Sequence, residues 1–225
     1  KGITYSVTEA ADFYIDGIKP DASGSYFDLH TPDGVYRNQF FNQLGMHNLS
    51  NALVALAMAS KAGLPVEDLA ESLASFPGVK RRLQILINEE DRVLIDDYAH
   101  HPTEIKAVYE TLKLSFPADE KCVVFQPHLF SRTQDFMTDF ATTLSLFDRV
   151  LLLDIYPARE LPIEGVSSAV LKEMISGPSV ELITKKELAN RLSLVDERII
   201  VLLGAGDIGE EVEGIKHKLL FDEAL

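Results

Sequence analysis

Four continuous apolar runs, each followed directly by a polar cluster, constrain the fold of this chain more than any other feature. The runs are Val93–Ile95, Cys122–Phe125, Val150–Leu153 and Ile199–Leu203. Unbroken runs of this kind are typical of strands that are buried on both faces of a parallel sheet. Segments with helical periodicity separate them, which predicts an α/β fold with a Rossmann-like, doubly wound and mostly parallel sheet.

The elements of this region are predicted to alternate from about Leu83 onward. The expected strands cover residues 83–87, 93–95, 121–125, 150–153, 180–183 and 199–203. The expected helices cover residues 103–115, 132–146, 167–176, 185–194 and 207–220.

The first part of the chain has a different pattern. Residues 1 to about 44 are predicted to be β-rich, with short strands at 3–7, 13–15, 25–29 and 35–40. Two helices follow: one from Asn48 to Ala62, with Leu49, Ala52, Leu53, Leu56 and Ala57 inward, and one opened by Pro65, with Leu69, Leu73 and Phe76 inward. We place the domain boundary near residues 78–84, so the predicted domains are 1–82 and 83–225.

The polar clusters after the strands predict the position of a functional site. Parallel strands place their carboxyl ends on one edge of a sheet, and ligands of open α/β sheets bind at that edge. The densest cluster runs from Asp96 to Glu104 and contains a tyrosine and two adjacent histidines. The glycine pattern of Gly204–Gly209 comes last in the domain, and we interpret it as a tight turn and not as a dinucleotide site.

Several of these residues leave two interpretations open. His100 and His101 are adjacent and cannot easily form a metal pair, so we expect one to face a substrate and the other to be structural. Asn48 and Asn51 share a helix face and could contact a base, although spacing alone favours Asn48 as a simple N-cap.

The basic triplet Lys80–Arg82 is equally ambiguous on sequence alone. Its arginines could meet a phosphate or could form a salt bridge in a linker.

Composition excludes several classes of protein. The formal net charge of −14 argues against binding of nucleic acid or of an anionic membrane surface. No apolar run is long enough to span a bilayer. The single cysteine, Cys122, is expected in the core, which is consistent with a reducing, cytoplasmic compartment. We expect no metal site built from the chain's own residues, and no P-loop pattern occurs.

Six motifs in one order carry a resemblance to a known family: Gly45–Ala52, Phe76–Arg82, Asp96–Glu104, Phe125–Thr133, Asp154–Glu160 and Gly204–Ile208. The series resembles the Mur ligases, and within them the branch that adds L-alanine and its close relative that attaches murein tripeptide. The resemblance implies the last part of the central ATPase domain followed by the whole C-terminal Rossmann-like domain. The P-loop and the sugar-binding domain would lie upstream, so the chain alone is expected to be inactive.

The resemblance also implies a reaction. ATP, with Mg²⁺, would drive amide formation between UDP-N-acetylmuramate and L-alanine through an acyl phosphate, as a step of peptidoglycan precursor synthesis. The alternatives are a murein tripeptide ligase and a non-catalytic nucleotide-binding module.

Residue by residue, the resemblance implies two groups of contacts and two catalytic roles. The nucleotide would be bound by His47, Asn48, Asn51, Arg81, Arg82 and Asp97, and L-alanine by Tyr98, His100, His128 and Arg132. Arg82, on the γ-phosphate, and His100 would act in catalysis. Two positions depart from the family pattern: Leu129 stands where many members have arginine, and Arg159 where a small residue is common.

Overall fold

The computed structural model describes residues 2–221 and divides into two compact units. The first unit runs as far as Val79 and also contains Glu110–Pro117. The second contains Lys80–Tyr109 and the chain from Ala118 onward. The assignment of residues 1–82 and 83–225 to two domains of a Mur ligase stays a prediction.

A four-stranded sheet and two helices form the first unit. The strands lie in chain order: β1 (Tyr5–Ser6), β2 (Phe13–Pro20), β3 (Ser25–Thr31) and β4 (Gly34–Phe41). Only the β1–β2 pair is parallel. The helices are α1 (Met46–Lys61) and α2 (Val66–Ala74).

The core of the first unit follows the helical spacing of α1. Its five predicted inward residues are all buried and pack with the apolar residues of β2 and β3. The first strand is shorter than predicted. The prediction for Phe76 is wrong: α2 ends at Ala74, and this side chain is 39% exposed.

A six-stranded sheet forms the centre of the second unit. Its order is β5 (Gln84–Asn88), β6 (Val93–Asp97), β10 (Ile199–Leu203), β7 (Lys121–Phe125), β8 (Arg149–Leu152) and β9 (Ser179–Leu182). Every neighbouring pair is parallel except β5 with β6. The remaining helices are α3 (Pro102–Ser115), α4 (Phe130–Asp135), α5 (Met137–Leu144), α6 (Ser168–Met174), α7 (Lys185–Leu192) and α8 (Val212–Phe221).

Burial on both faces explains the unbroken apolar runs. Every residue of β7 and β10 is buried. One face packs against α7 and α8 through Leu188 and Ile215, and this cluster includes Cys122. On the other face the ring of Phe125 lies 5.2 Å from that of Phe140 in α5. The doubly wound sheet is therefore confirmed, as is the core position of the cysteine.

Two predicted helices are divided in the structure. Phe136, with φ of −115°, interrupts the helix expected at 132–146 and separates α4 from α5. The helix expected from Asp207 begins as a 3-10 turn, Asp207–Glu210, and α8 starts at Val212. Gln126 Oε1 accepts the amide of Ile208 at 2.9 Å and so holds this turn. None of the described helices has the length and hydrophobicity that crossing a membrane requires.

Candidate functional site

The four polar clusters lie at one edge of the second unit's sheet. Strands β6, β10, β7 and β8 are consecutive neighbours and run in the same direction, so their carboxyl ends meet. The sequence prediction of a single polar edge is therefore confirmed. This edge is where open α/β sheets bind their ligands.

A row of four aromatic rings crosses this edge, and we call it the ring row. Tyr98 and His100 follow β6, His128 follows β7 and Tyr156 follows β8. Successive ring centroids are 5.5 Å apart from Tyr98 to His100, 6.0 Å from His100 to His128 and 5.5 Å from His128 to Tyr156. Residues that follow three separate strands thus form one continuous surface.

Arg81 lies at the Tyr98 end of the ring row. Its guanidinium carbon is 4.9 Å from the centroid of the Tyr98 ring. Its Nη2 donates to the carbonyl oxygen of Gly204, and its Nη1 lies 3.5 Å from that of Gly206. Its Nε is 3.4 Å from Asp96 Oδ2. Protein groups therefore surround the Arg81 guanidinium, which favours an anchoring role over a phosphate contact.

Arg82 differs from Arg81 in its surroundings. Its side chain is exposed, and its guanidinium carbon lies 5.9 Å from the Tyr98 centroid. Both residues flanking it, Arg81 and Leu83, have positive φ values of 58° and 46°. This backbone turn presents Arg82 to solvent, where an anion can reach it.

The two aspartates at the end of β6 are buried. Asp97 accepts the amide of Leu83 at 2.7 Å on one oxygen and the amide of Ala99 at 2.7 Å on the other. Burial raises the pKa of Asp97, although these hydrogen bonds oppose the rise. Burial also raises the pKa of Asp96 to about 6, although the positive charge of Arg81 lowers it. Asp96 Oδ1 and Arg81 Nε have no hydrogen-bond partner within the described residues.

His100 and His101 point to different neighbours, as the sequence predicts. The Nδ1 of His100 lies 2.9 Å from the carbonyl oxygen of Tyr98. A carbonyl can only accept, so this nitrogen carries the proton, and in the neutral ring Nε2 keeps a lone pair. His101 instead contacts Thr103 at 2.8 Å and the ring of Phe136 at 4.5 Å, so it is the structural histidine of the two.

His128 and Arg132 lie one helical turn apart at the start of α4. Leu129, with φ of 73°, is the N-cap of this helix, and Arg132 lies in its first turn as predicted. Arg132 Nη1 is 3.4 Å from His128 Nδ1. Because arginine can only donate, this nitrogen accepts and the neutral imidazole is protonated on Nε2. Burial, and then the charge of Arg132, lower the pKa of His128, so its ring is neutral at pH 7.

The turn after β10 contains Gly206, which packs against Tyr156 of the ring row. A Cβ atom added to Gly206 would lie 2.7 Å from Tyr156 Cγ and 2.5 Å from Gln126 Oε1. Gln126 also donates from Nε2 to Asp207 at 2.7 Å, and Asp207 in turn pairs with Lys185. The prediction of a tight turn here is confirmed, and the absence of a side chain at Gly206 lets Gln126 and Tyr156, which follow β7 and β8, pack closely against the backbone.

The residues predicted to contact adenine lie at the start of α1, in the first unit. Gly45, with φ of 91°, is the N-cap of this helix, so the interpretation of Asn48 as the cap is wrong. Asn48 Nδ2 instead donates to the carbonyl oxygen of Leu44 at 2.9 Å, while His47 and Asn51 are exposed. Their contact with a nucleotide stays a prediction.

Sequence reasoning did not assign Tyr156, Gln126, Asp207, Lys185 or Asp96 to the site. The first four follow strands of the sheet and Asp96 ends one, so position after a strand was the available signal. No group of three or more histidine, cysteine, aspartate or glutamate side chains suited to a metal occurs among residues 2–221.

Comparisons with known proteins agree with this architecture. The family model described as Mur ligase, glutamate ligase domain, matches residues 81–206. The UDP-N-acetylmuramate–L-alanine ligase of Christiangramia forsetii is 50% identical over 221 residues, which are 98% of this chain and 49% of that protein. The enzyme of the same name from Flavobacterium psychrophilum is 49% identical over 97% of this chain and 49% of its own length.

A solved structure shows the same fold. The UDP-N-acetylmuramate–alanine ligase of Thermotoga maritima superposes with a TM-score of 0.76 at 24% identity, covering 95% of this chain and 46% of that one. The chain spans about half the length of the relatives it matches. Because the family model covers more than half of the chain, including the whole ring row, the chain belongs to the Mur ligase family.

Proposed function

We propose that the full-length protein containing this chain joins L-alanine to UDP-N-acetylmuramate in an ATP-dependent reaction of peptidoglycan precursor synthesis. The observation that carries the proposal is the grouping of a guanidinium, on Arg132, with two imidazoles, on His128 and His100, at the ligand-binding edge of the sheet. A free amino acid has a carboxylate and an amine, and this grouping offers a partner to each.

The proposed reaction balances in two steps. ATP supplies a phosphoryl group to the muramic acid carboxylate, which gives an acyl phosphate and ADP. The amine of L-alanine then attacks the acyl carbon, the C–O bond to phosphate breaks, and an amide forms. The ammonium form of L-alanine must lose a proton before it can attack, so the site needs a base.

His100 is suited to be that base. Its Nδ1 is committed to the carbonyl of Tyr98, which fixes both the ring orientation and the tautomer. The lone pair on Nε2 is then the position that can accept a proton from the substrate. Glu104 Oε2 lies 3.6 Å from His100 Nδ1 and accepts the backbone amide of His100 at 2.9 Å, which helps to hold this residue in place.

Arg132 is suited to hold the substrate carboxylate. Its fork of N–H donors matches a carboxylate, and such a contact is stronger than one between neutral groups. Its neighbour His128 is neutral and therefore does not compete for the carboxylate as a second cation.

We assign the contact with the transferred phosphoryl group to Arg82. Its guanidinium is exposed, whereas that of Arg81 is held by Gly204, Gly206 and Asp96. An arginine at the transferred phosphoryl group offsets the negative charge of the transition state. Mg²⁺, bound together with ATP, would offset the charge of the phosphates.

Mutation of Arg132 tests the proposal. In the full-length protein, Arg132→Ala should raise the KM for L-alanine roughly a hundredfold, because a charge-assisted contact contributes about 2–3 kcal/mol. The KM for ATP and the Tm should stay near wild type. Arg159→Ala is the matched control, since Arg159 is an exposed arginine in the loop after β8.

Three kinetic outcomes would distinguish the proposed function from its alternatives. A wild-type KM for L-alanine in Arg132→Ala would contradict the assignment of Arg132. A murein tripeptide ligase would turn over the tripeptide in preference to L-alanine. A non-catalytic nucleotide-binding module would bind ATP without any acceptor-dependent release of phosphate.

A further inference from the structure

We infer that Tyr156 is a positioning residue, whose ring holds His128, and through it Arg132, in the geometry that binds the amino acid. The inference rests on the proposed function and adds a residue from a third strand to it. Tyr156 itself need not touch the substrate.

The contact of Tyr156 with His128 is close to parallel. The two ring centroids are 5.5 Å apart and the ring planes meet at 25°. The other ring contact of His128, to His100, is longer and tilted, at 6.0 Å and 58°. Tyr156 therefore provides the flat surface that fixes the plane of the His128 imidazole.

The Tyr156 ring also packs against the turn that follows β10. A Cβ atom on Gly206 would lie 2.7 Å from Tyr156 Cγ and 2.8 Å from its Cβ, so the ring packs directly on the glycine backbone. Arg81 Nη1 lies 3.5 Å from the carbonyl oxygen of the same glycine. Gly206 thus contacts both Tyr156, at one end of the ring row, and Arg81, which lies against Tyr98 at the other end.

The backbone of Tyr156 holds the β7 loop independently of its ring. Its amide donates to the carbonyl of Pro127 at 2.8 Å, and its carbonyl accepts the amide of Leu129 at 2.9 Å. These bonds survive any change of side chain. A substitution that removes the Tyr156 ring should therefore leave the loop after β7 in place and free only the His128 imidazole. Such a substitution tests the positioning of His128 without unfolding the loop.

The effect should pass to Arg132 because His128 Nδ1 is its hydrogen-bond acceptor. A freely rotating imidazole would no longer hold the guanidinium toward the substrate. Loss of one aromatic contact corresponds to about a tenfold change in binding.

The experiment compares two variants of Tyr156 in the full-length protein. We expect Tyr156→Leu to raise the KM for L-alanine about tenfold, with the KM for ATP and the Tm within error of the control. We expect Tyr156→Phe, which keeps the ring, to restore the KM for L-alanine to within about twofold. The control is Tyr109→Leu, which removes a comparable ring contact, with Phe147 at 5.1 Å, outside the ring row.

A second measurement needs no variant. Nitrogen-15 spectra of the wild-type protein should show His128 neutral, with Nδ1 unprotonated, and its ring protons shifted upfield by the Tyr156 ring. A cationic or unshifted His128 would overturn the inference, and this result stands even if Tyr156→Leu does not fold.

The kinetic outcomes distinguish the inference from the proposed function. Equal changes in both KM values, or an unchanged KM for L-alanine in Tyr156→Leu, would overturn the positioning role while leaving alanine ligation intact. A wild-type protein that does not use L-alanine would overturn both.

Discussion

Substitution of Asp96 by asparagine should stabilise the chain increasingly as pH rises. The Asp96 side chain is 3% exposed, and burial raises its pKa from the ordinary 3.8 to about 6. The folded chain therefore binds an extra proton between these two values, and the wild type loses stability as pH rises through that window. Above the window the charged carboxylate costs the fold about 3 kcal/mol.

The size of the effect follows from the same two pKa values. Linkage gives a cost of about 2 kcal/mol at about pH 5 and of about 3 kcal/mol at about pH 7.5. The difference in unfolding free energy between Asp96→Asn and wild type should therefore grow by about 1 kcal/mol over this range. The attraction of Arg81 is already contained in the pKa of Asp96, so the only remaining offset is the difference between asparagine and the protonated Asp96 carboxyl, and that offset does not change with pH.

Urea unfolding of the 225-residue chain at the two pH values measures this change. Asp91→Asn is the control, because Asp91 is exposed in the turn between β5 and β6 and no buried carboxylate is removed. A difference between Asp96→Asn and wild type that stays constant or shrinks with rising pH would show that Asp96 does not have a raised pKa in the folded chain.

Three further substitutions test separate parts of the account. Gly206→Ala should raise the KM for L-alanine about tenfold and lower the unfolding free energy by about 1–3 kcal/mol, because the added Cβ meets Tyr156 although φ is an ordinary −86°. Glu197→Gln, which breaks a 2.9 Å ion pair with Arg149 at the amino end of β8, should lower the unfolding free energy by about 2–3 kcal/mol in urea without changing the KM for L-alanine. Arg82→Lys should lower kcat roughly a hundredfold and change the KM for ATP less; an unchanged kcat in steady-state assays would contradict a phosphate contact.

The sheet and its polar edge were predictable because burial on both faces leaves unbroken apolar runs. The order of the strands was not predictable in the same way. β10 is the last strand in the chain, yet it lies between β6 and β7, and nothing local to residues 199–203 specifies that neighbour. The spacing of residues also predicted the wrong start for α1. Asn48 was expected to be its N-cap, but the N-cap is Gly45.

The parts of the site that sequence reasoning missed depend on contacts between distant segments. Tyr156 packs on Gly206, Gln126 bonds Asp207, and Arg81 reaches the carbonyl of Gly204. The first two pairs join loops that follow different strands, and Arg81 lies just before β5, so all three contacts exist only once the strand order is set. His100 and Arg132 were assigned through the resemblance, whereas Tyr156, Gln126 and Asp207 lie in the same motifs but were given no role by it.

The most direct test of the central claim is the stoichiometry of product formation by the full-length protein. With UDP-N-acetylmuramate, ATP and Mg²⁺ present, we expect one phosphate to be released for each amide formed, dependent on L-alanine and not on a murein tripeptide. The 225-residue chain alone, which lacks the P-loop pattern, should give neither product. Phosphate release that depends on the tripeptide instead, or that proceeds without any acceptor, would contradict the account.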